Sequence, residues 1–163
     1  MLEIERKYLV KPEIVEILNK IVPVKLKQGY LTKNELGSVR VRIEYYHESL
    51  FYSENQIDHA YLMSKTKVDD MSNQETVDEI TVKNAETLIK NFCNKVIDKY
   101  RYIINLTEPD GKNRKWELDV FENPNPGLML AELEISSKDE LIWLPPWIDR
   151  EVTGDPQYYN ANM

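Results

Sequence analysis

The chain has 163 residues, 42% of them hydrophobic, and a formal net charge of -7. That length suits one ordinary domain with its own core, so we expect a single domain over residues 1–163. The negative charge argues against a general nucleic-acid binder, whose surface is usually basic over a whole face. We therefore expect no nucleic acid as a partner.

The cysteine content and the first residues bear on the cellular compartment. Cys93 is the only cysteine, so no internal disulfide can form. The opening residues Met1 to Lys7 lack the apolar core of a signal peptide, and no apolar run is long enough to cross a bilayer as a helix. These features predict a cytoplasmic protein without a membrane partner.

Eight segments alternate polar and apolar residues with period two and are rich in β-branched and aromatic residues, which predicts eight strands. In chain order they are residues 2–10, 24–32, 38–46, 59–67, 74–82, 96–106, 114–122 and 128–136. Residues 11–22 and 84–96 instead place their apolar side chains on one helical stripe, which predicts two helices. The pattern indicates an α+β fold that is mainly β.

Polar stretches between the predicted strands indicate connections. Residues 48–58 and 68–73 are expected to form exposed hairpin loops. Near the end of the chain, Tyr158 and Tyr159 are expected to anchor a final helix by packing.

The charged residues of the predicted strands lie on one side-chain parity, and most of the opposite parity is apolar. Several strands carry two side chains of the same sign two residues apart: Arg40 and Arg42, Lys65 and Lys67, Glu117 and Asp119, Glu132 and Glu134. A sheet with one wet face and one core face is the simplest explanation. However, like charges side by side cost free energy unless opposite charge lies between them.

A sheet that closes into a barrel would explain the same-sign pairs, because they would then face an interior that can bind metal ions and phosphate. The helices need the apolar face, so the charged face would lie inside a sheet that eight antiparallel strands can close into a barrel. Carboxylates suit Mg²⁺ or Mn²⁺, while arginine and lysine neutralise phosphate oxygens. The residue types therefore indicate phosphoryl transfer, in which a second metal could activate a water. The sequence contains no Walker A loop, Rossmann fingerprint, nucleophile elbow or zinc motif.

The first strand carries the motif Glu-x-Glu-x-Lys at Glu3, Glu5 and Lys7. Further segments follow along nearly the whole chain: QGYL, VRVRI, KYRY, WELDVF, AELEI and LPPWIDREVTGDPQYYN. On these motifs, taken in this order, the chain resembles the CYTH domains, also called triphosphate tunnel metalloenzymes, and in particular their small bacterial members.

The resemblance implies an eight-stranded antiparallel β-barrel that forms a tunnel, with helices packed outside. It also implies a divalent-metal-dependent triphosphatase that binds one or two Mg²⁺ or Mn²⁺ ions and hydrolyses a phosphoanhydride bond. Inorganic tripolyphosphate is the expected substrate, since no aromatic pocket for a base is evident. The alternatives are an adenylate cyclase acting on ATP, a thiamine triphosphatase, and a non-catalytic polyphosphate or nucleotide sensor. A homodimer is left open.

The resemblance also assigns roles by position. It implies a metal-binding group made of Glu3, Glu5, Glu117, Asp119, Glu132 and Glu134. It implies that phosphates bind to Lys7, Arg40, Arg42, Lys65, Lys99, Arg101 and Arg150. The expected catalytic residues are Tyr30, Glu5 and Lys7, with Tyr30 at the reaction centre or gating the tunnel. For Arg150, a salt bridge with Asp149 or Glu151 is a comparable alternative.

One strand departs from the family pattern. Where small bacterial members tend to carry an acid between two others, this chain has Val77 between Glu75 and Glu79. We expect a weakened acidic wall there, with an effect on the second metal or on the choice of metal.

Overall fold

The computed structural model describes residues 1–46 and 57–163. The strands in these residues are β1 (Leu2–Val10), β2 (Val24–Asn34), β3 (Gly37–Tyr45), β4 (His59–Lys67), β5 (Ser72–Ile80), β6 (Val96–Thr107), β7 (Asn113–Asn123), β8 (Met129–Glu134) and β9 (Ile148–Glu151). The first eight are the strands predicted from the sequence, with ends displaced by at most two residues. The ninth was not predicted, because four residues are too few to show an alternating pattern.

The strands close into an antiparallel barrel. They are hydrogen-bonded in the order β5-β4-β3-β2-β6-β7-β8-β1, and β1 closes the circle by pairing Leu2–Ile4 with Ser72–Gln74 of β5. Strand β9 pairs with Tyr8–Val10 of β1, on the edge of β1 opposite β8. The predicted eight-stranded antiparallel barrel is thus confirmed, with one additional strand.

The apolar side-chain parity faces outward and forms the core beneath the helices. On one side of the barrel, the fully buried Val41 and Ile43 of β3 pack against Ala85 and Ile89 of a helix. On another side, Tyr8, Trp116 and Leu133 belong to a second cluster that includes Trp147. Burial of each large apolar side chain contributes about 1.5–3 kcal/mol. Because the apolar parity is used outside, the charged parity lies inside the barrel.

The two α-helices are shorter than the sequence predicted. The predicted helix 11–22 is reduced to a 3₁₀ turn, Pro12–Ile14, followed by α1, Val15–Leu18. Pro23 follows shortly and disfavours helical backbone in the residue before it, so the chain turns into β2. Helix α2 spans Val82–Phe92, and neither α-helix of the described residues is long and apolar enough to cross a membrane.

Side chains fix the ends of several connections. The Thr81 hydroxyl accepts a hydrogen bond from the Asn84 backbone N–H and so caps the start of α2. Between β4 and β5, Asp69 Oδ1 accepts from the backbone N–H groups of Met71 and Ser72 and orders a tight turn. The predicted loop 48–58 lies mostly outside the described residues.

Candidate active site

A cavity of about 600 Å³ lies inside the barrel, a size typical of small-molecule sites. Its lining holds eight basic and eight acidic side chains, so it is far less negative than the chain as a whole, with its net charge of -7. Eleven of the predicted site residues line it: Glu3, Glu5, Lys7, Tyr30, Arg40, Arg42, Lys65, Lys99, Arg101, Glu117 and Glu132. These residues meet because the apolar side chains of the strands face outward and the charged side chains face the interior of the barrel.

Arg40 and Arg42 of β3 lie in register with Tyr30 and Gln28 of β2. Burial and the neighbouring guanidinium groups of Arg40 and Arg101 lower the pKa of Arg42 to about 10. Arg40 Nη2 lies 3.3 Å from Glu75 Oε1, while Arg40 Nε is buried without a hydrogen-bond partner. A buried donor without a partner among like charges costs free energy, which a bound anion would offset.

Lys99 and Arg101 of β6 share one carboxylate, that of Asp119 on β7. Asp119 is 1% exposed, and its two oxygens accept from Arg101 Nε at 2.7 Å and from Lys99 Nζ at 2.6 Å. Burial disfavours the ionised form of this carboxyl group, but the positive charges of Arg101 and Lys99 hold the pKa of Asp119 at about 2. The pKa of Lys99 is lowered to about 8, first by burial and then by the positive charges of Arg101 and Arg42. Together these outweigh the attraction to Asp119, which raises it.

The acidic side of the cavity begins at Lys65 on β4. Lys65 Nζ lies 2.8 Å from Glu3 Oε2 and donates to Glu5 Oε1 at 3.2 Å. The Glu3 contact does not have hydrogen-bond geometry, so Glu3 Oε2 is a buried acceptor without a hydrogen bond. Burial raises the pKa of Glu5, and the carboxylate of Glu132 adds to the effect.

Two further acids complete this wall. Glu132 Oε1 lies 2.9 Å from Lys7 Nζ, and Glu117 Oε2 lies 2.5 Å from Arg101 Nη1. Burial opposes ionisation of Glu132, yet the charges of Lys7 and Arg101 hold its pKa well below the usual value. Each acid of this wall is therefore balanced by a basic side chain from another strand.

The acidic residues also mark the junction of two cavities. Glu3, Glu5, Glu117 and Glu132 line both the central cavity and a second one of about 540 Å³, whose lining adds Glu134. Burial and the carboxylates of Glu3 and Glu117 raise the pKa of Glu134. The two cavities therefore adjoin at these four carboxylates.

These acids fit a hard divalent cation in their chemistry. All the donors are carboxylate oxygens, which Mg²⁺ and Mn²⁺ prefer, and Glu3 Oε2 is a buried acceptor that lacks a hydrogen bond. Within residues 1–46 and 57–163, no three His, Cys, Asp or Glu side chains converge closely enough to hold an ion. Lys7, Lys65 and Arg101 instead occupy the carboxylates in ion pairs.

Residues near the end of the chain close one side of the cavity, which the sequence did not indicate. Lys99 Nζ donates to Asn160 Oδ1 at 2.9 Å, and Lys7 Nζ donates to the backbone oxygen of Tyr158 at 3.2 Å. The segment consists of two 3₁₀ turns, Pro156–Tyr158 and Asn160–Asn162, instead of the expected final helix.

Three predicted site residues do not line the central cavity. Asp119 lies behind the lining in its ion pairs with Lys99 and Arg101, and Glu134 faces the second cavity. Arg150 is exposed on β9, where its Nη2 lies 3.3 Å from Tyr158 Oη. Their predicted roles thus remain predictions.

The sequence analysis assigned no role to Gln28 and placed Glu75 only in a weakened acidic wall, whereas both residues contact the basic group. Gln28 is fully buried, and its Oε1 accepts from Arg42 Nε at 3.2 Å. Glu75 pairs with Arg40 and lines the central cavity, while Val77 and Glu79 of the same parity line neither cavity. The alternating parity of β5 was the signal for Glu75.

The fold and the cavity define a class of protein: a closed β-barrel whose interior is lined by grouped basic and grouped acidic side chains. No protein-family model matches the chain. It is 35% identical over 162 residues to an inorganic triphosphatase of Acetivibrio thermocellus, covering 99% of this chain and 92% of that protein. It is 34% identical over 167 residues to an inorganic triphosphatase of Nitrosomonas europaea, covering 100% of this chain and 97% of that protein.

A solved structure also shows similarity to an inorganic triphosphatase. The crystal structure of an inorganic triphosphatase aligns with a TM-score of 0.61 at 31% identity, covering 98% of this chain and 92% of that chain. The chain belongs to the inorganic triphosphatase family.

Proposed function

We propose that this protein is a divalent-metal-dependent triphosphatase of the triphosphate tunnel type, the CYTH family, and that it hydrolyses inorganic tripolyphosphate. The observation that carries the proposal is the buried Arg40 Nε without a partner, beside the guanidinium group of Arg42 with its lowered pKa. A partly uncompensated cationic group inside a barrel is suited to a polyanion. Membership of the inorganic triphosphatase family supports the same substrate.

The basic residues of the cavity would bind the phosphates. Arg40, Arg42 and Arg101 offer planar guanidinium groups that can make two parallel hydrogen bonds to one phosphate. Lys7, Lys65 and Lys99 carry compact point charges, and each would exchange one partner for a phosphate oxygen. The partners given up would be the carboxylate of Glu132 for Lys7, that of Glu3 for Lys65 and the amide oxygen of Asn160 for Lys99. Asp119 would keep Arg101 and Lys99 in place during this exchange. Arg150 would at most contact substrate at the rim.

The acidic residues would hold the metal. Glu3, Glu5, Glu117, Glu132 and Glu134 are the candidates, and a bound Mg²⁺ or Mn²⁺ would neutralise phosphate charge and lower the pKa of a water. Release of Lys65 and Lys7 toward the substrate would free Glu3, Glu5 and Glu132 for this role. Substrate and cation would therefore bind cooperatively, because each removes the ion-pair partner of the other.

Tyr30 and Lys7 would act at the reacting phosphate. In support of this role, Tyr30 is 8% exposed, lines the cavity and is the register partner of Arg40. Among the residues that the structure describes, the aromatic side chains of the lining are Tyr30 and Tyr159, which favours a phosphate substrate over a nucleotide base. The lone Cys93, which cannot form an internal disulfide, suits a reducing cytoplasmic location.

The test is to incubate the purified protein with tripolyphosphate, ATP or thiamine triphosphate, with Mg²⁺, Mn²⁺ or EDTA. Phosphate, pyrophosphate and cyclic AMP are then measured. We expect metal-dependent phosphate release, fastest from tripolyphosphate. Cyclic AMP with pyrophosphate would select a cyclase instead, and binding without any product would select a sensor.

Variants link this activity to the cavity. Glu5→Gln and Arg42→Ala are each expected to lower the rate at least tenfold, or about 1.4 kcal/mol of transition-state stabilisation. Lys90→Ala is the matched control, because Lys90 is exposed on α2. Wild-type rates in both cavity variants would contradict the proposal.

A further inference from the structure

We infer that Gln28 is a positioning residue that turns the hydroxyl proton of Tyr30 into the cavity. Gln28 touches neither cavity, yet it connects two residues that line the central one, Tyr30 and Arg42. The inference rests on the proposed function, because it assigns Tyr30 the role of hydrogen-bond donor to the substrate in that same site.

The direction of each hydrogen bond follows from the chemistry of the groups. Arginine can only donate, so the amide atom of Gln28 that lies 3.2 Å from Arg42 Nε must be the oxygen. The nitrogen of the same amide then faces Tyr30 Oη, at 2.9 Å. Because an amide nitrogen can only donate, Tyr30 Oη must accept this bond. Arg42 thereby fixes the orientation of Gln28, and Gln28 fixes the role of the tyrosine oxygen.

The surroundings of Tyr30 complete the argument. Gln28 Nε2 occupies one acceptor position of Tyr30 Oη, so the hydroxyl proton cannot lie in that direction. Arg40 is the register partner of Tyr30 and can only donate, so it offers this proton no acceptor. Tyr30 lines the cavity, where a bound phosphate would supply the acceptor. In this position the proton can be donated to a phosphate oxygen that gains charge during cleavage.

Burial makes this arrangement rigid. Gln28 is 0% exposed and the register of β2 against β3 places it opposite Arg42 and Tyr30 opposite Arg40. A buried amide must have its hydrogen bonds satisfied, which alone could explain a glutamine at this position. The two explanations differ in what a substitution does to turnover: a packing role would lower stability, whereas a positioning role lowers kcat through Tyr30.

The experiment is a double-mutant cycle with Gln28→Met and Tyr30→Phe, measured with tripolyphosphate and saturating Mg²⁺ or Mn²⁺. Methionine keeps the approximate shape of glutamine and removes both hydrogen bonds of the side-chain amide, to Tyr30 and to Arg42. We expect each single variant to lower kcat about tenfold, with KM within about twofold, and the double variant to match Tyr30→Phe. Losses that multiply in the double variant, or a wild-type kcat in Gln28→Met, would overturn the inference.

The variant Gln28→Glu distinguishes an effect of Gln28 on Tyr30 from an effect on Arg42. The carboxylate still accepts from Arg42 Nε, but it also accepts the Tyr30 hydroxyl proton and turns it away from the cavity. We expect kcat to fall at least as far as in Gln28→Met. Retained kcat in this variant would show that Gln28 acts through Arg42 alone and would overturn the role assigned to Tyr30. Because Glu is close in shape to Gln, this variant also serves if Gln28→Met fails to fold.

One measurement does not depend on turnover. In protein labelled with ¹³C at the tyrosine Cζ, the Tyr30 resonance is identified by its loss in Tyr30→Phe. We expect Gln28→Met to shift it and Gln74→Met, on the exposed side of β5, to leave it in place. An unmoved resonance overturns the inference. A wild-type protein that releases no phosphate overturns the proposed function, while the resonance still tests the hydrogen bond.

Discussion

Glu5 on β1 and Glu134 on β8 lie directly opposite each other in the antiparallel pair, so two carboxylates occupy one row of the barrel wall. The next row places Glu132 opposite Lys7 and opposite Glu117. Like charges at facing positions of a sheet destabilise it by roughly 0.2–1 kcal/mol, and the pKa values of Glu5 and Glu134 are both raised. These facing carboxylates therefore repel each other, and a cation bound between them would remove the repulsion.

We expect Mg²⁺ or Mn²⁺ to raise the midpoint of thermal unfolding of the wild-type protein, and to raise it less in Glu134→Gln. A ligand at one hundred times its Kd contributes about 2.7 kcal/mol, so calorimetry can resolve the shift. Raised carboxyl pKa values mean that protons compete with the metal at higher pH than usual, so the shift should shrink as the pH falls. Glu86→Gln on α2 is the control. Equal shifts in wild type and Glu134→Gln would exclude Glu134 as a ligand.

A second prediction concerns the pH dependence of substrate binding through Lys99. Its pKa is lowered to about 8 by burial and by Arg101 and Arg42. A lysine is charged below its pKa, so the attraction for phosphate is present below pH 8 and is lost as the pH rises through that value. We expect KM for tripolyphosphate to rise across this range in the wild type.

The control for this titration is Lys99→Gln, in which KM should be high throughout and lack the Lys99 step. Any pH dependence that remains in this variant comes from the ionisation of substrate or metal and can be subtracted. Lys90→Gln, exposed on α2, should behave as wild type. If the rise in KM is identical in Lys99→Gln, the titrating group is not Lys99.

A third prediction concerns an ion pair outside the central cavity that stabilises the fold. Arg114 on β7 and Glu108 in the turn after β6 are 6% and 4% exposed, and Arg114 Nε lies 2.6 Å from Glu108 Oε1. Glu108 also accepts a hydrogen bond from the backbone N–H of Trp143, and Arg114 donates to the backbone oxygen of Leu141. The pair thereby ties the segment before β9 to the β6–β7 hairpin.

Removing one partner of such a pair leaves a buried charge without compensation, which costs about 3–5 kcal/mol. We expect Arg114→Met to lower the free energy of unfolding by that amount in urea titrations. The double variant Glu108→Gln/Arg114→Met should recover part of it, because the stranded carboxylate is gone. A loss below about 1 kcal/mol would mean that water or another basic group replaces Arg114.

The sequence was sufficient to predict the barrel and most of its lining, because both follow from one local rule. Side chains alternate along a strand, so Arg40 and Arg42, or Glu3 and Glu5, must share a face whatever the tertiary structure. The helices needed the opposite face, which left the charged parity for the interior. Eleven predicted residues meet in one cavity for this reason.

Features that depend on the pairing of distant segments could not be predicted in this way. Asp119 has the same parity as Glu117, but only the register of β6 against β7 places it between Lys99 and Arg101. Gln28 is uncharged, so the charge pattern gave no signal for it, and its role depends on its contacts with Arg42 and Tyr30 in the folded protein. The contact between Asn160 and Lys99 joins residues 61 positions apart through two short turns with no periodic pattern.

The last prediction tests the position where the sequence departs from the family pattern. Val77 is the register partner of Met63, which lines the central cavity, but Val77 itself is 50% exposed and lines neither cavity. Strand β5 pairs with β1 only through Ser72–Gln74, so at Val77 it has already left the closed part of the wall. An acid at this position would face solvent, where its interaction with a cation is screened.

We therefore expect Val77→Glu to change kcat and KM for tripolyphosphate by less than about twofold in either Mg²⁺ or Mn²⁺. Glu75→Gln is the matched comparison on the same face of β5, and it should have a larger effect because Glu75 lines the cavity and pairs with Arg40. Parallel assays in the two metals measure both rate and metal preference. If Val77→Glu instead changed the ratio of Mg²⁺ to Mn²⁺ activity several-fold, the acidic wall would extend along β5 to this position when metal and substrate are bound.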